Sequence, residues 1–263
     1  MLPPILYRDP HLLVVHKPAG LLVHRSALDW HEQDSVLDRL RQGLPADEAA
    51  GLAPAHRLDK GTSGLLIFTR HAQAARRMGE LFEAGGVHKH YLALVRGWPA
   101  PDGTCDHPLA RDPERPSQGQ TLLPALTHFR RLARVEWPLT VDGRFPTARY
   151  ALVEARPLTG RRHQIRRHFK HMAHPLIGDA THGKGPHNRA VAAWTGTARL
   201  WLLAHQLSLP HPITGQILTL RAVAEPEWTA LLSRGSWATD DDTTLAGVIG
   251  LGAPTRSEAD QRG

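Results

Sequence analysis

The sequence predicts an α+β fold built mainly from antiparallel strands with helices set between them. Short β-prone runs recur along the chain, and helical periodicity interrupts them without a regular strand–helix–strand rhythm. No GxxxxGK[ST] or GxGxxG loop marks a nucleotide-binding parallel sheet. At 263 residues, 41% of them apolar, the chain can bury one sizeable core.

The elements follow in order. ILY (5 to 7), LLVVHK (12 to 17) and LLVH (21 to 24), with a turn at Pro18-Ala19-Gly20, read as a meander. A helix follows Asp34, which can cap it, with Val36, Leu37, Leu40 and Leu44 on one face and an end near Gly43 or Pro45. GLLIFT (64 to 69) has the unbroken apolar character of a buried strand. Residues 71 to 84 switch to helical period, bury Ala75, Met78, Leu81 and Phe82, and stop at Gly85-Gly86. HKHYLALVRG (88 to 97) is a strand, as are 126 to 136, 149 to 156, 200 to 209 and 217 to 222; basic helices lie near 162 to 172 and 226 to 234. RDPERPSQGQTLLP (111 to 124), rich in Pro, Gly and charge, is expected to be an exposed loop and no domain boundary. Beyond Trp237 bulky side chains are scarce, which predicts a disordered tail over 238 to 263 behind a single catalytic domain at 1 to 237.

The net charge is +7, and the tail holds five acidic residues against Arg256 and Arg262, so the body carries 30 basic and 20 acidic residues. That surplus favours a polyanionic partner, although a compositional preference for arginine gives the same figure. Between 155 and 178 there are six Lys or Arg residues, four histidines and no carboxylate. Arg161, Arg162 and Arg167 are the candidate phosphate contacts there, against the alternative of a solvated helix face. The single cysteine, Cys105, cannot pair within the chain, and the first residues lack the apolar run of a signal peptide or membrane span. A cytoplasmic protein is expected. Of the 18 histidines, His163, His168, His171 and His174 lie close in sequence. A helix would bring only His168 and His171 to one face, and no cysteine or paired carboxylate completes a site, so no metal is expected.

The chemistry sits in HRLDKGTSGLLIF (56 to 68). On its residues alone, Asp59 is either a reactive carboxylate at a strand end or a turn former bonding the amides of Gly61 to Ser63. HRLD, two variable residues, TSG and an apolar strand together resemble the signature of the RluA-like pseudouridine synthases; the sister RsuA-like group has glycine where His56 stands. HKPAGLLVH (16 to 24), VHKHYLALVRG (87 to 97), GRRHQIRRHFKHMAHPLIGD (160 to 179) and LLAHQLSLPHPITGQ (202 to 216) are similar to the family's other motifs and stand in the same order. The resemblance thus spans roughly residues 5 to 235.

It implies the pseudouridine synthase fold, a curved mixed sheet with flanking helices around an RNA-binding cleft, and an isomerisation that needs no cofactor. Asp59 becomes the nucleophile or base, and Arg166 the bidentate partner that keeps it ionised and aims it. Tyr91 packs on the uracil and can take part in proton removal, while Arg57 fills the place of the flipped uridine. His56 braces the loop, His163 belongs to the same brace as Arg166, and Leu65 and Ile67 either line the pocket or are plain core. The RNA partner is read from VHRSALDWHE (23 to 32), GDATHGKGPHNR (178 to 189) and the stretch 143 to 168, which look like a bacterial subgroup that modifies uridine 65 in the T-arm stem of tRNA. Lys184 and Arg189 are then expected near phosphates, against a bland reading of 182 to 189 as a polar surface loop. No S4 domain and no obligate protein partner are expected. The alternatives are a synthase for ribosomal RNA or other tRNA sites and a noncatalytic RNA-binding protein.

Overall fold

The structure is a computed structural model that describes residues 1–25, 32–116, 118–141, 143–240 and 245–248. Most of the stretch 23 to 32 therefore lies outside the described residues. In chain order the elements are β1 (Ile5–Arg8), β2 (Leu12–Lys17), α1 (Val36–Gly43), α2 (Ala46–Ala50), β3 (Ala53–Pro54), β4 (Ser63–Thr69), α3 (Ala72–Glu83), β5 (His88–Arg96), β6 (Asp102–Asp106), β7 (Leu109–Ala110), β8 (Leu122–Leu123), β9 (Leu126–Trp137), β10 (Ala148–Pro157), α4 (Gln164–His171), α5 (Gly185–Thr195), β11 (Leu202–Pro210), β12 (Ile217–Arg221), α6 (Pro226–Leu232), β13 (Ala238–Thr239) and α7 (Leu245–Val248).

Among the described residues, eleven strands form one sheet in the order β1-β2-β4-β11-β5-β10-β9-β13, with β3 on β4, β12 on β11 and β6 on β9. The β4–β11 pair is parallel, whereas β2–β4, β11–β5, β10–β5 and β10–β9 are antiparallel. This is the mixed, mainly antiparallel α+β sheet that the strand-rich pattern predicts.

The period of two along the central strands explains where the cleft lies. Leu65 and Ile67 of β4 join Leu92, Leu94, Leu152 and Leu203 in a large core closed by Met78 of α3, Val191 of α5 and Trp228 of α6. Leu66 and Phe68 point the other way, to a core under α1 with Val36 and Leu40. Ala93, Val95 and Val153 meet Ile165 and Phe169 of α4 in a third. Each fully buried leucine contributes about 1.5–3 kcal/mol, so covering both faces of β4 accounts for its unbroken apolar run. Tyr91 packs at the margin of both smaller cores, and the gap between them is open. Leu65 and Ile67 are thus core on the opposite face, not pocket lining.

Several local expectations need correction. LLVH (21 to 24) is no strand: Leu22 makes a single bridge to Ser35, and the carbonyls of Pro18 and Leu21 are taken by the Lys17 ammonium at 2.9 and 2.6 Å. Ser35, not Asp34, caps α1 by accepting from the Asp38 amide, while Asp34 pairs with Arg39. In α3 the buried alanine is Ala74; Ala75 is half-buried. The loop at 111 to 124 is closed by the β7–β8 pair and by the Gln120 amide, which donates to the carbonyls of Asp112 and Pro116. Of the stretch 182 to 189, open to a reading as a polar surface loop, residues from Gly185 on belong to the helix Gly185–Thr195, with Pro186 in the first turn, where its missing N–H costs nothing. Of the tail expected from 238, Ala238–Thr239 pairs with the outer edge of β9 and Asp240 meets Arg131 at 2.6 Å and Arg134 at 3.5 Å, while most of the remainder lies outside the described residues.

Candidate active site

Asp59 hangs from the turn that connects β3 to β4. The Thr62 amide donates to the backbone oxygen of Asp59 at 3.0 Å, so the main chain closes the turn and the side chain is left for another partner. The turn is fixed from below: Lys17 Nζ donates to the Lys60 carbonyl at 3.0 Å, and the Gly20 amide donates to the same oxygen at 2.8 Å. On its far side Gly64 has a φ of +106°, and a Cβ there would lie 2.3 Å from the Ala204 oxygen. Only glycine lets β4 and β11 meet this closely. His56 accepts from the Ile67 amide through Nε2 at 3.1 Å and packs on Phe82, tying the start of the loop to β4. Burial and the charge of Lys89 lower its pKa to about 4, which suits an acceptor nitrogen.

The Asp59 carboxylate reaches Arg166 of α4. Arg166 Nη1 donates to Asp59 Oδ2 at 2.9 Å, while Nε and Nη2 donate to Asp179 Oδ2 and Oδ1 at 2.7 and 2.8 Å. The bidentate pairing expected for Asp59 therefore belongs to Asp179, whose side chain is fully buried. Asp179 also accepts from the amides of Thr181 and His182. Burial pushes its carboxyl upward, but the Arg166 hydrogen bonds and charge outweigh this and hold it below the usual carboxylate range. Burial works against the Arg166 charge, and the two carboxylates more than offset it, raising its pKa. His163, left-handed at φ 56°, places Nε2 3.9 Å from Asp59 Oδ1 and bonds His182 through Nδ1 at 3.1 Å. Burial lowers the pKa of both histidines, that of His182 to about 4.

Tyr91 lies between Ala155 of β10 and Ala204 of β11 and lines the same cleft, about 1040 Å³ in volume. Burial, with the nearby Asp59 charge, raises its phenol pKa. Arg57 is exposed on the cleft wall and its side chain makes no bond among the described residues. Arg161, Arg162 and Arg189 also line the cleft. Arg161 Nε donates to the Pro124 carbonyl at 2.9 Å, and Arg162 pairs with Glu114 and, at 3.9 Å, with Asp112. Arg167 instead turns away and donates to the Ala110 carbonyl at 2.9 Å, bracing the β7–β8 pair. Lys184 is exposed at the start of α5 and is not part of the cleft wall. Among the described residues no three His, Cys, Asp or Glu side chains converge so that they could hold a metal ion.

Residues 11–171 match the family model described as RNA pseudouridylate synthase. The chain belongs to the RNA pseudouridylate synthase family. The tRNA pseudouridine synthase C of Vibrio cholerae is 41% identical over 238 residues, covering 89% of this chain and 96% of that protein. The protein of the same name from Pectobacterium carotovorum is 40% identical, and this chain covers 62% of its length. Among solved structures, Human RNA Pseudouridylate Synthase Domain Containing 1 superposes with a TM-score of 0.70 at 26% identity, over 95% of this chain and 94% of that one.

The cleft of this pseudouridylate synthase holds three groups that the motif reading did not single out. Asp179 ended a recognised block without a role, and nothing in the sequence says that Arg166 turns towards it. Arg199 lines the cleft almost fully buried; it donates to Ser63 Oγ at 2.7 Å and to Glu225 at 3.2 Å, with Trp201 beneath it at 5.4 Å. Against the upward push of burial, His16, Arg199 and Ser63 hold the Glu225 carboxyl down to about 2. Lys89, two residues before Tyr91, is the third. A lone arginine before a strand or a lone lysine within one has no periodicity that marks it as a cleft residue, so these two were legible only in three dimensions.

Proposed function

We propose that this chain is a tRNA pseudouridine synthase acting in the cytoplasm, with uridine 65 of the T-arm stem as its target. The observation that carries the reading is the Asp59 carboxylate, held by Arg166 on the floor of a cleft whose wall also carries Tyr91, Arg57, Lys89, Arg161, Arg162, Arg189 and Arg199. Such a cationic wall attracts a phosphate backbone, and the Asp59 carboxylate anchored in its middle is suited to attack on an electrophilic carbon or to removal of a proton. The names of the bacterial relatives support tRNA as the substrate.

In the reaction the bond from ribose C1′ to uracil N1 breaks, the base turns, and C1′ joins C5; C5 gives up its proton and N1 gains one. No electron or water is consumed. Asp59, with Oδ2 fixed by Arg166, has Oδ1 available for the nucleotide. Tyr91 supports the uracil ring, its phenol kept protonated by burial. A uridine in a stem must leave the stack, at a cost of a few kcal/mol, and the unpaired Arg57 guanidinium is placed to occupy the gap.

The test is pseudouridine mapping of tRNA and ribosomal RNA transcripts incubated with the protein and with Asp59→Asn. Conversion at position 65 of tRNA by the wild type, with none by a variant that still binds the RNA, is expected. Conversion confined to ribosomal RNA would overturn the substrate, and undiminished conversion by Asp59→Asn would overturn the assignment of Asp59.

A further inference from the structure

Lys89 is a cleft cation to which the chemistry above gives no individual task. It stands on β5 two residues before Tyr91 and lines the same wall, half-buried. Its Nζ donates to the Thr159 carbonyl at 3.2 Å, which uses one of the three donors of an ammonium. Carboxylates of the cleft and of the adjacent strand are engaged elsewhere: Asp59 and Asp179 with Arg166, and Glu154 with His90 and Arg156. No salt bridge reaches Lys89 among the described residues, and burial lowers its pKa without an opposing anion. Its charge helps to hold His56 neutral.

A cation kept partly out of water with no counter-ion is unfavourable in the free protein, and the cost is removed when an anion arrives with the ligand. A lysine ammonium is a compact point charge suited to one phosphate oxygen, in contrast to the planar fork of arginine that grips Asp179. Two residues along a strand span about 6.6 Å, so the ammonium stands within reach of a nucleotide whose base rests on Tyr91. The Thr159 carbonyl that Lys89 touches leads directly into Gly160 and Arg161 at the cleft mouth, so the phosphate would continue along a cationic path. Resting on the RNA reading above, we infer that Lys89 is a substrate-binding residue that takes a backbone phosphate adjoining the everted uridine.

The experiment compares the full chain with Lys89→Gln, Lys89→Arg and, as a surface-charge control, Arg76→Gln on α3, where Arg76 is exposed beside Glu80. Affinity for unmodified tRNA transcript is measured over a series of salt concentrations, with single-turnover rates at saturating protein. Loss of one phosphate contact is expected to weaken binding by about tenfold and to reduce the slope of log affinity against log salt by about 0.7–0.9 in Lys89→Gln. Lys89→Arg should restore the slope, and Arg76→Gln should leave it as in the wild type. A Lys89→Gln slope equal to that of the wild type overturns the inference, whether the rate is normal, which makes the lysine a bystander, or reduced, which makes its role structural or proton-transferring. If the wild type itself fails to bind tRNA, the RNA reading falls and takes this inference with it; a steep wild-type slope shared by Lys89→Gln removes the inference alone.

Discussion

Asp179 holds Arg166 through two nitrogens, at 2.7 and 2.8 Å, and thereby leaves one, Nη1, to reach Asp59 at 2.9 Å. The guanidinium is aimed by a carboxylate outside the loop proposed to carry the chemistry. Asp179→Asn keeps the shape but gives up one charge of a buried pair, and breaking such a pair costs about 3–5 kcal/mol. The expected outcome is a lower Tm together with a single-turnover rate reduced by about tenfold or more, while affinity for tRNA changes little. A variant with wild-type turnover would show that Asp59 does not depend on this anchor.

Arg57 is exposed and its side chain makes no hydrogen bond or ion pair among the described residues, so its removal should leave stability alone. For Arg57→Ala, Tm is expected to be unchanged, whereas the rate on a uridine within a stem should fall by about tenfold or more. The loss should be smaller on an RNA whose target uridine is mismatched, because that base is already partly out of the stack. Equal losses on both substrates would mean that Arg57 acts in some way other than filling the gap.

Gly64 tests the frame of the site without touching its chemistry. A methyl group at φ +106°, 2.3 Å from a backbone oxygen, forces β4 and β11 apart. Gly64→Ala should lower stability by about 3 kcal/mol or more, since backbone strain and a clash with main chain both apply. Thermal unfolding measures this directly, and a Tm within a degree of the wild type would contradict the close strand approach.

Acid should destabilise the fold in two separate windows. Burial holds His56, His182 and His205 down to about 4, whereas in the unfolded chain a histidine titrates near 6.5. Between these values the unfolded state binds more protons, so stability is full above about 6.5 and is lost as pH falls towards 4. Glu225, held at about 2 against about 4.5, contributes in the same direction but lower, with stability lost as pH falls from about 4.5 to 2. The urea midpoint followed from pH 7 to pH 2 checks both. His205→Gln should flatten the upper window and spare the lower; an unchanged upper slope would mean that His205 is not held neutral.

What could be read in advance divides along the reach of the interactions involved. The strand at 64 to 69, the helix over 71 to 84 and the glycine stop after it follow from near neighbours and were visible as periodicity. The cap of α1 was misplaced by one residue, because Asp34 and Ser35 are both good caps and the choice depends on Arg39 capturing the carboxylate. The stretch 182 to 189 allowed a reading as a polar loop because its small and polar residues give no apolar stripe; the helix Gly185–Thr195 is held by Val191 packing into the large core. The tail's first residues became strand because β9 had an unpaired edge and two arginines waiting for Asp240.

By itself the sequence determined the family, the order of its motifs, the cationic character of the body and the carboxylate proposed to carry the chemistry, since these depend on residue identity and spacing. Only the tertiary structure decided that Arg166 is shared, that Arg167 faces a carbonyl while Arg161 and Arg162 face the cleft, and that Lys89 and Arg199 belong to its wall. Asp59 and Arg166 are 107 residues apart and Arg199 and Ser63 are 136 apart. The direction of a guanidinium over such separations is set by how the strands stack and which carboxylate is buried nearest, and neither is written in the local order of the chain.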